Sequence, residues 1–200
     1  MILNLGYDST NYYLIPLKNQ QYLLVDCGWP GTLPKLRSQL KRYTIELNQI
    51  KYLILTHFHP DHAGIAEDLR RSGSVVILEE KQLPWARQAK QQYLKNGKPK
   101  AGTSPYLELD TSKLTITSSV KSQALFSQFG LQAEFINTPG HSDDSVTLAV
   151  YPEGCFTGDL HLPSQVAPEW FDVVNESWAK IKRTGLTKIY PGHGWSFELE

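Results

Sequence analysis

Short apolar runs, bounded by polar, glycine or proline positions, recur along the chain and predict strands. The clearest is Lys51–Thr56, an apolar run typical of a buried strand, which ends immediately before a histidine. Lys18-Asn19-Gln20 separates two other runs as a polar, hairpin-like break. The predicted strands are Ile2–Leu5, Asn11–Leu17, Gln21–Asp26, Lys51–Thr56, Ser74–Leu78, Gln132–Asn137, Ser145–Tyr151, Gly154–Thr157 and Lys188–Tyr190.

Apolar positions at steps of three and four predict helices between these strands. One such stripe consists of Leu33, Leu36, Leu40 and Tyr43. A second stripe, which we expect to face the core, consists of Trp170, Phe171, Val174 and Trp178. The other predicted helices are Asp61–Arg71, Glu79–Lys95 with an interruption at Pro84, Ser118–Phe129 and Pro168–Thr184. Lys98–Ser112 contains two prolines and a glycine, which predicts a loop.

Strands and helices therefore alternate along the chain, and the apolar strands predict sheets covered by helices, an α/β architecture. We expect one domain over residues 1–200, with no internal repeat or linker.

Composition narrows the class further: 20 Lys and Arg balance 20 Asp and Glu, so the net charge is zero. Nucleic-acid binding is disfavoured, because neutralising phosphates needs a surplus of positive charge.

No apolar run approaches the roughly 20 residues of a membrane helix, and the first residues lack the features of a signal peptide. The two cysteines, Cys27 and Cys155, are too few for a disulfide scaffold. We therefore expect a cytoplasmic protein without a membrane partner.

The placement of the histidines is more informative than their number. His57-Phe58-His59-Pro60-Asp61-His62 follows a predicted strand. His141, Asp159 and His193 each follow a glycine at or near the end of another strand. Strand ends present rigidly held groups to a cleft, and imidazoles with carboxylates are ligands for Zn, Fe or Mn. Because His57 and His59 are two residues apart, their rings can face the same way, whereas Asp61 and His62 diverge. The pattern predicts a site for two metal ions.

These motifs resemble those of the metallo-β-lactamase-fold superfamily, in the same order, from about Asp26 to His193. The resemblance implies an αββα sandwich of four layers, with a binuclear metal site where the two sheets meet. It implies that His57, His59 and His141 hold metal 1, and that Asp61, His62 and His193 hold metal 2. It further implies that Asp159 bridges the two metals and that Asp26 braces the histidine loop without binding metal.

Two bound divalent cations would activate a bridging hydroxide, which predicts a hydrolase without a Ser or Cys nucleophile. Zn is the default metal, and Fe or Mn would also suit these ligands. Asp61 is the residue best placed to orient the nucleophile. His161, two residues after Asp159, is either a proton donor in the cleft, a residue that supports the ligands, or a surface residue.

Departures from known branches narrow the substrate. β-Lactamases of this superfamily are secreted and lack the bridging acid. Glyoxalase II carries an additional helical region for glutathione, and only seven residues follow His193. Nuclease branches have inserted domains and basic surfaces. We therefore expect a compact hydrolase of a small thioester, lactone, ester or phosphodiester.

Aromatic residues near these motifs are candidate substrate contacts: Trp29, Phe58, Trp85, Tyr106 and Trp195. Three alternatives stay open. One is a mononuclear iron oxidoreductase of the persulfide dioxygenase type, which a single iron per chain would indicate. The others are an RNA-processing nuclease or β-lactamase, and a binding module that keeps the fold without catalysis.

Overall fold

The computed structural model of the protein describes residues 1–95 and 106–199. One sheet is built from six strands: β1 (Leu3–Asn4), β2 (Tyr13–Pro16), β3 (Tyr22–Val25), β4 (Ile50–Ile54), β5 (Val75–Glu79) and β6 (Thr115–Thr117). They lie in sequence order across the sheet. The first three pair antiparallel, and each of the others is parallel to the strand before it.

The second sheet has five strands: β7 (Ala133–Asn137), β8 (Val146–Val150), β9 (Gly154–Gly158), β10 (Lys188–Pro191) and β11 (Phe197–Glu198). Their order across the sheet is β11-β10-β9-β8-β7. β8 is antiparallel to both β7 and β9, while β9 and β10 are parallel. As a result β7, β9 and β10 run in the same direction and end at the same edge of the sheet.

The helices are α1 (Leu33–Lys41), α2 (Pro60–Ala63), α3 (Ala66–Arg71), α4 (Leu83–Lys95), α5 (Ser119–Gln128) and α6 (Pro168–Lys182). Among the described residues, none is both long and apolar enough to cross a bilayer. The chain thus contains two sheets flanked by helices, which confirms the predicted αββα sandwich.

Alternation along the strands creates the layers. Leu14 and Leu24 pack outward against α1, α3 and α4, whereas Ile15 and Leu23 point inward to the second sheet. On the far side, β9 and β10 bury side chains against Val174, Trp178 and Ile181 of α6. Because both faces of the central strands are covered, their sequences read as continuous apolar runs.

Most predicted elements form with ends shifted by one or two residues, and two short strands were not predicted. β6 and β11 contain three and two residues, too few for a period-two pattern to be recognised. Each is instead defined by pairing with an existing strand, β5 and β10 respectively. Residues 98–105 of the predicted loop lie outside the described residues, and 106–110 contain no helix or strand.

The predicted second stripe of α6 is only half correct. Val174 and Trp178 are buried, but Trp170 and Phe171 are 51% and 47% exposed. The buried cluster between α6 and the second sheet takes Val174, Trp178 and Ile181 from the helix, and the first-turn side chains of Trp170 and Phe171 lie outside that cluster.

The predicted helix Asp61–Arg71 is a further correction, because it is two helices, α2 and α3, separated at Gly64 and Ile65. The carbonyl of His62 accepts hydrogen bonds from the Cys27 N–H at 2.8 Å and from its Sγ at 3.3 Å. In a continuous helix that carbonyl would bind the N–H of Ala66. The loop after β3 therefore takes the hydrogen bond that would have continued the helix.

The same junction requires a glycine, because a Cβ at Gly64 would lie 2.3 Å from the Pro30 nitrogen. Backbone atoms cannot rotate away, so we expect Gly64→Ala to cost about 3 kcal/mol and lower the melting temperature by about 10 °C. Gly185→Ala is the matched control. Gly185 has φ 73° and nothing within 4 Å of the added Cβ. Its variant should lose only about 1 kcal/mol. If thermal denaturation shows that both variants lose the same stability, the proposed clash between residue 64 and Pro30 is contradicted.

Candidate metal centre

Strand direction brings the polar motifs together at one edge of the sandwich. His141, Asp159 and His193 follow β7, β9 and β10, which end on the same side of the second sheet. The His57–His62 segment follows β4 in the first sheet. A hydrogen bond of 2.8 Å from the N–H of Val146 to the carbonyl of Thr56 joins the two sheets at this edge.

One group of side chains consists of three histidines and an aspartate, and its ligand atoms lie within 4.8 Å of one another. Nε2 of His141 lies 3.0 Å from Nδ1 of His59 and 3.5 Å from Oδ2 of Asp159. Nε2 of His57 lies 3.9 Å from the same oxygen of Asp159. His59 therefore presents Nδ1, whereas His57 and His141 present Nε2.

A second group contains Asp61, His62 and His193. Oδ2 of Asp61 lies 3.3 Å from Nε2 of both His62 and His193. Asp159 faces this group too, with Oδ1 3.3 Å from His62 and Oδ2 3.3 Å from His193. The structure thus brings all seven predicted ligand residues together, with Asp159 between the two groups.

Asp26 determines which nitrogens carry protons. Its carboxylate can only accept, so the 2.8 Å contact with His62 places the hydrogen on Nδ1 and leaves Nε2 facing the cluster. The Thr56 hydroxyl, 2.8 Å from Asp26 Oδ2, donates its one hydrogen to Asp26. It can then only accept from His57 Nδ1 at 3.1 Å. His57 therefore turns an unprotonated Nε2 to the cluster.

The orphaned polar atoms of the site match a metal centre. Among the described residues, three buried side-chain atoms lack a hydrogen-bond partner: His57 Nε2, His62 Nε2 and Asp159 Oδ1. Buried polar atoms are almost always paired, so three orphans within one cluster indicate a missing partner. All three can donate an electron pair to a cation. The donor set thus fits a divalent metal.

The electrostatics of the site agree with this fit. Burial lowers the pKa of His57 well below its usual value, and burial lowers that of His141 to about 4. Burial opposes ionisation of Asp61 and Asp159, but the neighbouring imidazole of His62 outweighs it, and the pKa of each carboxyl group is below its usual value. Neutral imidazoles and ionised carboxylates are the forms that bind metal.

His62 shows the excess of negative charge most directly. Burial alone would lower the pKa of its imidazole, but the carboxylates of Asp26, Asp159 and Asp61 raise it well above its usual value. Three carboxylates around one imidazole create a negative electrostatic potential, which a divalent cation would neutralise.

The N-terminal loop contributes to the site and was not predicted. The carbonyl of Ser9 accepts a hydrogen bond of 2.7 Å from His193 Nδ1, and the Thr10 hydroxyl donates to Asp61 Oδ2 at 3.0 Å. Asn11 fastens this loop by a 2.7 Å bond from its N–H to the carbonyl of Gly192. Two of these contacts join residues more than 180 positions apart and the third joins residues 51 apart, and no local signal in the sequence indicates them.

The candidate substrate contacts separate into two sets. Phe58 is 3% exposed and packs in the core, where Asp144 accepts its backbone N–H at 2.7 Å. Tyr106 stacks on Tyr93 and packs against the outer core. Trp29, although 42% exposed, lines neither cavity beside the cluster. The structure thus places these three side chains away from the two cavities, because nearness in sequence to a ligand does not determine where a side chain points.

Trp85, His161 and Trp195 do line cavities beside the cluster. The Trp85 cavity, of about 600 Å³, also contacts His59 and His141. The Trp195 cavity, of about 340 Å³, also contacts Asp159, His193 and His141. His161 lines both cavities. Its Nε2 lies 3.3 Å from Nδ1 of His141.

The sequence profile of the metallo-beta-lactamase superfamily matches residues 5–193. The chain therefore belongs to the metallo-beta-lactamase superfamily. "Beta-lactamase-like protein 2 homolog" from Caenorhabditis elegans is 29% identical over 93% of this chain and 56% of its own length. "Lactamase-like protein nscB" from Trichophyton rubrum is 28% identical over 95% of this chain and 50% of its own. The chain spans about half the length of these curated relatives.

Solved structures share the fold. "Rm3 metallo-beta-lactamase" superposes with a TM-score of 0.68 at 14% identity, covering 95% of this chain and 74% of its own. The metallo-beta-lactamase family protein TTHA1429 from Thermus thermophilus gives 0.66 at 20% identity, covering 98% and 73%. At these identities the similarity establishes the sandwich and not the substrate.

The Thr56 hydroxyl provides a test of the bracing network. We expect Thr56→Val to lower Zn²⁺ affinity about 10- to 100-fold, because His57 Nδ1 and Asp26 Oδ2 both lose a partner. Competition with a chromophoric chelator measures the affinity. Thr56→Ser keeps the hydroxyl and should bind like the unmodified protein. A valine variant with unchanged affinity would show that this hydroxyl does not orient His57.

Proposed function

We propose that this protein is a hydrolase of small ester-like substrates that works with two divalent cations, with zinc as the expected metal. The observation that carries the proposal is the pair of adjacent ligand groups with Asp159 between them, including three buried atoms without partners. A donor set of imidazoles and carboxylates without thiolates also suits iron or manganese.

In this proposal His57, His59 and His141 would hold one cation, Asp61, His62 and His193 would hold the other, and Asp159 would serve both. Two bound cations would supply an activated water at neutral pH and polarise the bond to be cleaved. The chain supplies the geometry, since Asp26 and Thr56 keep the protons of His57 and His62 on the outward-facing nitrogens.

Asp61 has a second role in the proposal, which is to orient the attacking water through its carboxylate. The Thr10 hydroxyl donates to the Asp61 carboxylate, and the Tyr12 hydroxyl donates to the Asp61 backbone carbonyl at 3.2 Å. Both the side chain and the backbone of Asp61 are therefore held in place. A carboxylate held in this way keeps its direction while the substrate binds.

His161 is proposed to position His141. Because Nε2 of His141 faces the cluster, Nδ1 carries its hydrogen and donates it to His161 Nε2. The His161 backbone is itself fixed by a 2.7 Å bond from Trp178 Nε1 to its carbonyl. His161 is therefore a positioning residue in the proposal, and it is also close enough to the cleft to exchange a proton with a leaving group.

A thioester, lactone, ester or phosphodiester fits this chemistry. A relative from Bacillus subtilis, named "Probable metallo-hydrolase YflN", is 31% identical over 38% of this chain and 30% of its own length, which supports hydrolysis. Cys27 and Cys155 are both buried and free, which supports a reducing compartment such as the cytoplasm.

Metal content and turnover provide the direct test. We expect two zinc ions per chain by elemental analysis, and loss of hydrolysis after chelation with recovery on adding Zn²⁺. His59→Ala and Asp159→Ala should each lose bound metal and turnover together, because both side chains belong to the proposed ligand set. The substrates are a panel of one ester, one thioester, one lactone, one phosphodiester and one β-lactam.

Asp172→Ala is the control, since it removes an exposed carboxylate from α6 and should change neither quantity. Metal-loaded protein that cleaves no member of the panel would refute the hydrolase. One iron per chain, with no turnover of the panel, would favour the iron oxidoreductase instead.

A further inference from the structure

The two cavities beside the metal centre divide the space in which a substrate can bind. Both open onto His141 and His161, the first towards His59 and the second towards Asp159 and His193. Both cavities therefore adjoin the cluster and each other, so groups on the two sides of a bond over the cluster can enter different cavities. Volumes of about 600 and 340 Å³ lie within the range of small-molecule sites.

Apolar surface dominates the walls away from the cluster. Trp85, Trp170 and Val166 line the Trp85 cavity. Leu160, Leu162 and Trp195 line the other. Trp170 and Trp195 are 51% and 93% exposed. Exposed aromatic side chains at the mouth of a cleft are surfaces that an apolar ligand would cover.

Outside the proposed ligand residues, the wall of the Trp85 cavity carries an acidic side chain. Asp143 lines this cavity, directly after the His141-Ser142 segment. Among the described residues, neither lining includes Lys or Arg. Away from the proposed metal ligands, recognition of a carboxylate or phosphate group requires such a cation or a cluster of aimed N–H donors.

We propose that the protein selects neutral esters or thioesters with two apolar arms, one in each cavity, and that Asp143 disfavours substrates with an anionic arm. The proposal rests on the hydrolase function proposed above, and it names the substrate class of that site. Asp143 is exposed and forms no side-chain hydrogen bond or ion pair among the described residues, so its carboxylate is available to act on a ligand.

A matched pair of substrates tests the charge. 4-Nitrophenyl hexanoate and the 4-nitrophenyl monoester of adipate have acyl chains of equal length, and only the second carries a carboxylate. We expect kcat/KM of the zinc-loaded protein to favour the neutral ester about tenfold or more. Asp143→Asn should narrow this ratio and Asp143→Lys should narrow it further. Asp172→Lys, which changes charge equally on a residue that lines neither cavity, should leave it unchanged.

Two series of ester substrates with increasing chain length test the two apolar arms. Acyl groups and, separately, alcohol groups are lengthened from two to eight carbons, and kcat/KM is measured for each. We expect Trp170→Ala to flatten the dependence on one arm and Trp195→Ala to flatten the dependence on the other. Phe171→Ala is the control for Trp170, because Phe171 is the next residue on α6, is 47% exposed and lines neither cavity.

The outcomes distinguish this inference from the hydrolase itself. Turnover of the adipate monoester as fast as the hexanoate, or chain-length dependence unchanged in both tryptophan variants, would overturn the inference and leave the hydrolase standing. No turnover of any ester, thioester, lactone or phosphodiester by zinc-loaded protein would refute the proposed function. Trp195 and Asp143 are both exposed, so loss of folding does not confuse these comparisons.

Discussion

The buried carboxylate of Asp26 is the interaction on which the candidate metal centre depends. It is 2% exposed and accepts three hydrogen bonds, from the Thr56 N–H, the Thr56 hydroxyl and His62 Nδ1. Its backbone has φ 60°, a region that non-glycine residues enter only when their surroundings hold them there. Removing one partner of a buried charge costs about 3–5 kcal/mol, so this arrangement is strongly constrained.

Asp26 determines the position of the imidazole hydrogen on His57 as well as on His62. Because Thr56 has a single hydroxyl hydrogen and donates it to Asp26, His57 is left with its hydrogen on Nδ1. One carboxylate at the end of β3 therefore prepares two imidazoles that follow β4. The ionised carboxylates, and the neutral imidazole of His57 with its lone pair turned inward, are then present before any cation arrives, which reduces the reorganisation that binding requires.

The second sheet supplies the remaining ligands through topology. Since β8 is antiparallel to both neighbours, β7 runs with β9 and β10, and residues after all three strands meet at one edge. The N-terminal loop then closes over this edge, where Ser9 and Thr10 bind His193 and Asp61. Contacts between the two ends of the chain thus stabilise the ligand group that contains Asp61.

Sequence patterns predicted the fold class, and the family match and the structure agree with them. The motif order placed Asp26, the His57–His62 segment, His141, Asp159 and His193 together in one site, and the structure brings them together. Sequence patterns did not predict side-chain positions that depend on residues far away in the chain. Phe58 sits between two predicted ligands, yet Asp144 and the outer core hold it away from the cleft. Trp170 has helical spacing with the buried Val174, yet it is 51% exposed and lines a cavity instead of the core cluster of α6.

Apolar periodicity and the spacing of the histidines are local properties, so the chain alone was sufficient to indicate strands, helices and a set of ligands. Protonation, wall charge and cavity shape are not local. Thr10 and Asp61 are 51 residues apart, and His193 and Ser9 are 184 apart, so only the folded chain could show that these groups meet. Tertiary structure likewise decided which aromatic side chains face the cavities, because a side chain's direction depends on the elements packed around it.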